Sequence, residues 1–220
     1  MTTKANSRLA GFTFLLYIVV GITDMSLSSR AIGSGTTAAK LASIAQHETL
    51  IRVSVVLTLV TALCALTLAA TIYALTRDYD RDLALLAMLC RVVEGASNAV
   101  AASATLRLLS AAKTVASGAD AATANAVGSA LLGGQATGTA TLFAVGSTIY
   151  CYIFLRARTI PIALAWLGVI SSVLLVVCLP LQILGVMGPN WWMWMPALVF
   201  EVSFAFWLII KGVRQGEQRP

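Results

Sequence analysis

The sequence predicts an all-α fold: an integral membrane bundle of six transmembrane helices, with N and C termini cytoplasmic. Three observations lead there. First, six long apolar runs, at 9–27, 48–75, 83–110, 128–155, 161–184 and 193–211, approach or exceed the ~20 residues that cross about 30 Å of hydrocarbon. Second, the chain is 59% hydrophobic and only 11% charged, with a mean hydropathy of +0.87, whereas a soluble globular chain carries about 25% charged residues. With the 220 residues almost entirely in spans, no length remains for a separate soluble domain, and 1–220 reads as a single transmembrane helical-bundle domain. Third, the basic residues gather at alternate span ends. Lys4 and Arg8 precede the first span, Arg77 and Arg81 separate the second from the third, Arg156 and Arg158 the fourth from the fifth, and Lys211, Arg214 and Arg219 follow the last. Six spans put these nine on one side, against Arg30, Lys40, Lys113 and Arg107 on the other. The positive-inside rule makes the richer side cytoplasmic, which implies a multi-pass protein of the cell inner (plasma) membrane. The formal charge of +6 is therefore a topology signal, and no nucleic-acid partner is expected.

The elements follow in order. The first span runs from near Arg8 to near Leu27. Reading it as a cleaved signal peptide would leave five spans, but its apolar stretch is long for that purpose. Residues 28–46, rich in Gly, Ser, Thr and Ala, lie outside the membrane and turn partly helical from Thr37. The second run, ~28 residues or about 42 Å of helix, must tilt or protrude at His47–Glu48. A tight turn, Arg77 to Asp82, leads into span three, with Asp82 as the expected N-cap. Span three, Leu83–Leu109, carries Arg91, Glu94, Gly95, Ser97, Asn98, Ser103 and Thr105, too many polar groups to face lipid all round, which places it at the bundle centre. Residues 110–127 read as a mobile extracellular loop. In span four, Gly134-x-x-x-Gly138 matches the small-residue pattern for close helix approach. Pro161 is expected to open span five, and Pro180 to kink or end it. Trp191, Trp192 and Trp194 form an interfacial belt, and Lys211-Gly212 closes span six. A central Glu in spans three and six is the one trace of an inverted repeat.

Polar groups inside the spans point to function, because charge in hydrocarbon is costly. Helix rise converts sequence to depth: Asp24 lies about 8 Å, Arg52 about 6 Å, Gln135 about 10 Å and Glu201 about 8–12 Å below the outer edge, while Glu94 and Asn98 lie about 16 and 22 Å up span three. Five spans thus each deliver a polar group to the outer half of the bilayer. Arg91, Glu94 and Asn98, spaced i, i+3, i+7, share one helical face, and so do Glu48 and Arg52. Arg91, about 12 Å from the cytoplasmic edge, forms the floor of this layer.

Two readings compete. One is an ion-pair network that pins helices together: Arg91 with Glu94, Arg52 with Glu48 or Asp24, Glu201 with either arginine. The other is a polar pocket. Four acids, Asp24, Glu48, Glu94 and Glu201, face two arginines, so about two carboxyls lack a cation. A buried carboxyl without a partner holds its proton and is a candidate general acid.

Other chemistry is thinly represented. Cys64, Cys90, Cys151 and Cys178 fall in four different spans and read as small apolar filler. His47 is the sole histidine and cannot by itself build a zinc site or a bis-histidine haem site. Neither P-loop, dinucleotide fingerprint nor nucleophile elbow is present. No cofactor and no metal are expected. Aromatic residues, among them Phe12, Phe14, Tyr17, Tyr73, Phe143, Tyr150, Trp166, Phe200, Phe204 and Trp207, read mainly as packing or lipid-facing groups, with some available to line a pocket and stabilise a cation over their π faces.

Three stretches carry a resemblance: Arg91-Val92-Val93-Glu94 in span three; Phe143 to Gly168, including Tyr152 to Pro161 and Leu164-Ala165-Trp166-Leu167-Gly168; and Pro196 to Glu201 through Trp207-Leu208 and Lys211-Gly212. Together these resemble the bacterial membrane family catalogued as domain of unknown function 4386. The resemblance covers nearly the whole chain, implies a six-span bundle, supplies no activity, and marks Arg91, Glu94 and Glu201 as family-like. A second comparison, to small bacterial membrane-bound terpene cyclases, is by analogy of size and intramembrane acids only.

The expected function is therefore an integral membrane protein with a buried acidic/arginine pocket in the outer half of the bilayer. As an intramembrane acid-catalysed enzyme of cyclase or isomerase type, it would use Glu94 or Glu201 to protonate a lipophilic, terpenoid-like substrate. Asp24, Arg52, Arg91, Asn98 and Gln135 would then bind and orient. The alternative is a non-catalytic small-molecule transporter, lipid-binding or sensory protein using the same pocket. The expected partners are the bilayer and a lipophilic small molecule; the sequence leaves the oligomeric state open.

Overall fold

The computed structural model describes residues 2–117, 126, 128, 136–188 and 190–214. Its elements are α1 (Thr3–Ile32), α2 (Thr37–Gln46), α3 (Glu48–Thr76), α4 (Arg81–Ala116), α5 (Ala136–Ala157), α6 (Ile162–Ile183), a 3₁₀ turn (Trp191–Trp194) and α7 (Met195–Ile210), with no strand among the described residues. Six helical stretches are long and apolar enough to cross a membrane: Thr3–Ile32, Glu48–Thr76, Arg81–Ala116, Thr139–Ala157, Ile162–Ile183 and Trp191–Ile210. The chain is an all-α, multi-pass membrane protein.

Several boundaries differ from the sequence reading. α1 continues to Ile32 rather than ending near Leu27. α4 is 36 residues long, about 54 Å, and runs through Ala116 into the expected loop. Alanine, leucine and lysine in 106–116 favour helix, and Leu108, Leu109 and Ala112 gain a buried face there. Asp80, not Asp82, caps α4: its Oδ1 accepts from Leu83 N at 3.1 Å, leaving Asp82 in the first turn, where a negative charge suits the helix dipole. Pro161 stands at the N-cap of α6 rather than inside its first turn, its carbonyl accepting from Ala165 N at 3.0 Å. Pro180 does not end α6, which continues to Ile183. The chain leaves the helix at Gly185, whose φ of +72° suits glycine. Gly134 of the small-residue pair lies outside the described residues.

The chain divides into two compact units: Met1–Leu16, Cys64–Gly95 and Ala136–Pro220 form the first, and Tyr17–Leu63 and Ala96–Gln135 the second. The first unit has an aromatic centre. The Phe204 ring lies 5.6 Å from Phe14, 5.4 Å from Phe154, 5.3 Å from Phe200 and 6.3 Å from Tyr150, centroid to centroid. Without a hydrophobic drive between helices in lipid, such packing and close backbone approach hold a bundle together. Gly168 shows the closeness: a Cβ there would meet Cys151 Sγ and the Phe200 ring at 2.6 Å. Gly168→Val is expected to cost about 1–3 kcal/mol through overpacking, read as a lower midpoint of thermal unfolding in detergent. Gly21→Val, where nothing lies within 4 Å, is the control expected to leave packing undisturbed.

At one end of this unit the chain segments are stitched together. Arg214 N donates to Thr159 O at 2.9 Å, Val213 N to Ser7 Oγ at 3.4 Å and Tyr79 Oη to Arg214 O at 3.1 Å. Arg156 pairs with Asp80 at 3.5 Å. The start of α1, the α3–α4 turn, the α5–α6 turn and the segment after α7 thus share an end, as the alternate span ends of a six-helix membrane protein must.

In the second unit, α2 is amphipathic. Leu41 and Ile44 bury against Ala31, Ile51, Leu108, Leu109 and Ala112. Thr36 caps its start by accepting from Ala39 N, and Ser43 Oγ reaches back to Ala31 O at 2.8 Å.

Candidate functional site

Arg91, on α4, is 1% exposed, the largest fully buried side chain of the described residues. Its guanidinium Nη1 donates to Glu94 Oε2 at 2.8 Å, an i,i+3 pair in which Glu94 is also 1% exposed. The Arg91 Cζ lies 4.6 Å from the Phe143 ring centroid, 5.8 Å from Phe14 and 5.9 Å from Tyr150. Aromatic faces within about 6 Å of a cation attract it, most strongly when it is desolvated. Three helices therefore wrap this charge, α1 with Phe14, α4 with its own Glu94, and α5 with Phe143 and Tyr150. α7 adds Glu201, also buried and within electrostatic reach of both Arg91 and Glu94.

The ionic count matters at such a place. Two carboxyls face one guanidinium, and the trio is electroneutral only with one proton on a carboxyl. Glu94 is fixed by its charge-assisted bond to Arg91. Glu201 Oε1 has no hydrogen-bond partner among the described residues. Tyr150 Oη and Ser147 Oγ, one turn apart on α5, are likewise buried without a hydrogen-bond partner among the described residues. The centre thus contains buried polar oxygens whose hydrogen-bonding capacity the described side chains do not use, a condition rare in protein interiors.

The residues singled out in the sequence fall in both units. Arg91, Glu94 and Glu201 belong to the first unit, and Asp24, Arg52 and Asn98 to the second. Arg52 is turned to the surface, its side chain 62% exposed, and pairs with Glu48 at 2.8 Å. Glu48 also receives Lys113 Nζ at 3.0 Å, a partner that the sequence reading did not consider. Asp24 is half-buried among hydroxyls: Ser28, Ser54 and Thr58 all bond to its carboxylate. Asn98 is half-buried on α4, and Gln135 lies outside the described residues.

The residues that sequence reasoning undervalued are the rings. Phe143, Ser147, Tyr150 and Phe154 recur at i, i+4, i+7 and i+11, one face of α5. That spacing was available as a signal, but a hydrophobic background hides it. Some aromatics were expected to hold a cation, and the cation they face is the protein's own Arg91.

The profile of the family described as "Domain of unknown function (DUF4386)" matches residues 9–212. None of the curated proteins matches the chain, and none of the solved structures does.

Proposed function

This chain belongs to that family, and we propose that Arg91, Glu94 and Glu201 form a proton-carrying centre in a non-catalytic membrane protein that binds or moves a lipophilic small molecule. The enclosed position of Arg91 carries this reading: one buried guanidinium set against two buried carboxyls, with Glu94 locked at 2.8 Å. Glu201 is then the group that gains and loses the proton, and α7 is the helix whose packing answers to it. In this reading the protein lies in a bacterial inner membrane with its basic-rich end cytoplasmic.

Difference infrared spectroscopy of the protein in nanodiscs, taken across an acid-to-alkaline titration, tests the proposal. The carboxylic-acid C=O band of the wild type is expected to disappear in Glu201→Gln and persist in Glu48→Gln. An unchanged band in Glu201→Gln overturns it.

One observation favours a second reading, intramembrane acid catalysis of cyclase or isomerase type on a terpenoid-like substrate: Glu201 Oε1 is buried and accepts no hydrogen bond among the described residues, as a proton donor to carbon requires. Against it, the aromatic faces that would stabilise a carbocation are turned to Arg91. Native mass spectrometry of the protein purified with its lipids separates the two. A bound lipid recovered unaltered supports binding or transport. A compound converted by the wild type and not by Glu201→Gln selects the enzyme.

A further inference from the structure

Asp24 lies within the membrane-spanning length of α1, and its surroundings differ in kind from those of Arg91. Among the described residues no basic side chain pairs with it; of the two partners the sequence offered Arg52, Glu48 takes it. Hydroxyls surround it instead. Ser54 Oγ donates a hydrogen bond to Asp24 Oδ1. Ser28 Oγ lies 3.3 Å from the same oxygen and 2.7 Å from Ser54 Oγ. Thr58 Oγ1 lies 2.9 Å from Asp24 Oδ2 and 3.0 Å from Ser54 O. Ser54 is 2% exposed, and Asp24, Ser28 and Thr58 are half-buried around it.

The arrangement gathers six oxygens: two from the carboxylate, three from hydroxyls and the Ser54 carbonyl. They come from adjacent turns of two helices, Asp24 and Ser28 on α1, Ser54 and Thr58 on α3. Hydroxyls donate to a carboxylate when nothing else is present. They also carry lone pairs and rotate freely about the C–O bond, so the same oxygens can turn those lone pairs on an ion. Three hydroxyls donating to Asp24 disperse its negative charge but do not cancel it, and uncancelled charge at membrane depth is costly.

We propose that Asp24, Ser28, Ser54 and Thr58 form a binding site for a hard monovalent cation, sodium in the first instance. The donor set is oxygen only, which suits hard ions and disfavours the nitrogen- and sulfur-seeking transition metals. A single carboxylate is neutralised by one positive charge. A divalent ion would leave the site net positive and ordinarily calls on more carboxylates. The oxygens must move apart to admit the ion, and the hydroxyl-to-carboxylate hydrogen bonds are exchanged for coordination. Because the ligands sit on two helices, occupancy ties α1 to α3. The site lies in the other unit from Arg91 and shares no residue with that centre, so the two proposals stand or fall separately.

Thermal unfolding of the purified full chain in detergent, with sodium chloride, potassium chloride or choline chloride at equal ionic strength, tests it. Binding to the folded state raises the midpoint in proportion to the logarithm of saturation, so a saturable rise specific to sodium is expected, reaching about 5 °C at a large excess. Thr58→Val retains the carboxylate and removes one ligand; it is expected to move the half-saturating sodium concentration up by about tenfold, the equivalent of ~1.4 kcal/mol. Asp24→Asn is expected to abolish the sodium response. Should Asp24→Asn fail to assemble, Thr58→Val and Ser54→Ala still decide the matter. Equal rises in all three salts overturn the proposal, and so does a midpoint that follows pH and ignores sodium, which would assign Asp24 a proton instead.

Discussion

Arg91→Ala is expected to destabilise the protein by about 3–5 kcal/mol, the loss found when one partner of a buried ion pair is deleted and the other is left charged. The environment makes the upper part of that range the expectation. Glu94 is 1% exposed and held by Arg91 at 2.8 Å, so removing the guanidinium strands its carboxylate away from water. A cavity also opens between Phe143, Phe14 and Tyr150, which lie 4.6–5.9 Å from Arg91 Cζ. The measurement is unfolding of the purified protein in mixed micelles. A second variant separates charge from shape. Arg91→Ala with Glu94→Gln removes the stranded charge and is expected to recover part of the loss, giving a favourable coupling energy in the double-mutant cycle. Arg91→Lys keeps the charge and loses the planar fork and its stacking on the rings, so an intermediate stability is expected. A loss near zero for Arg91→Ala would mean that the arginine reaches water by snorkelling.

How much of this was legible beforehand depended on the type of signal. Span count and position were visible because crossing hydrocarbon demands length and apolarity, which composition records directly. The pairing of Arg91 with Glu94 was visible because i, i+3 places them on one face of a helix. Glu201 was visible as an acid in an apolar run, and it is buried. The immediate partners of Asp24 and Arg52 were not, because rise along a helix gives depth and says nothing of which neighbours face one another at that depth. Arg52 illustrates the point: the sequence offered it Glu48 or Asp24, and the local pair with Glu48, one turn away, is the one that forms. Asp24 illustrates another, since serine and threonine at 28, 54 and 58 look neutral in a sequence and become its whole environment in space. The length of α4 was missed because small, polar residues beyond Leu109 resemble a loop by composition while retaining helix propensity.

Phe204→Ala is expected to cost about 2–3 kcal/mol, and the reasoning differs from that for a soluble core. In lipid the unfolded helix already keeps its phenylalanine away from water, so the transfer part of the usual loss is small. The cavity part remains, at roughly 24 cal/mol per Å³ of unfilled space. Phe204 is fully buried and its ring contacts Phe14, Tyr150, Phe154 and Phe200, so four rings on four sides must relax to fill the gap. Phe206→Ala, on the 51% exposed face of the same helix, leaves no such cavity and is expected to change stability by less than about 0.5 kcal/mol. The comparison is again thermal unfolding in detergent, with equal losses for the two variants counting against a packed aromatic centre. Phe14 and Tyr150 are also two of the rings over Arg91. Loosening them weakens the hold on the guanidinium, so Phe204→Ala and Arg91→Ala are expected to be non-additive, their combined loss smaller than the sum. Additive losses would show the aromatic stack and the ionic trio to be independent, and would leave the proton proposed for Glu201 without a mechanical route to the packing of α7.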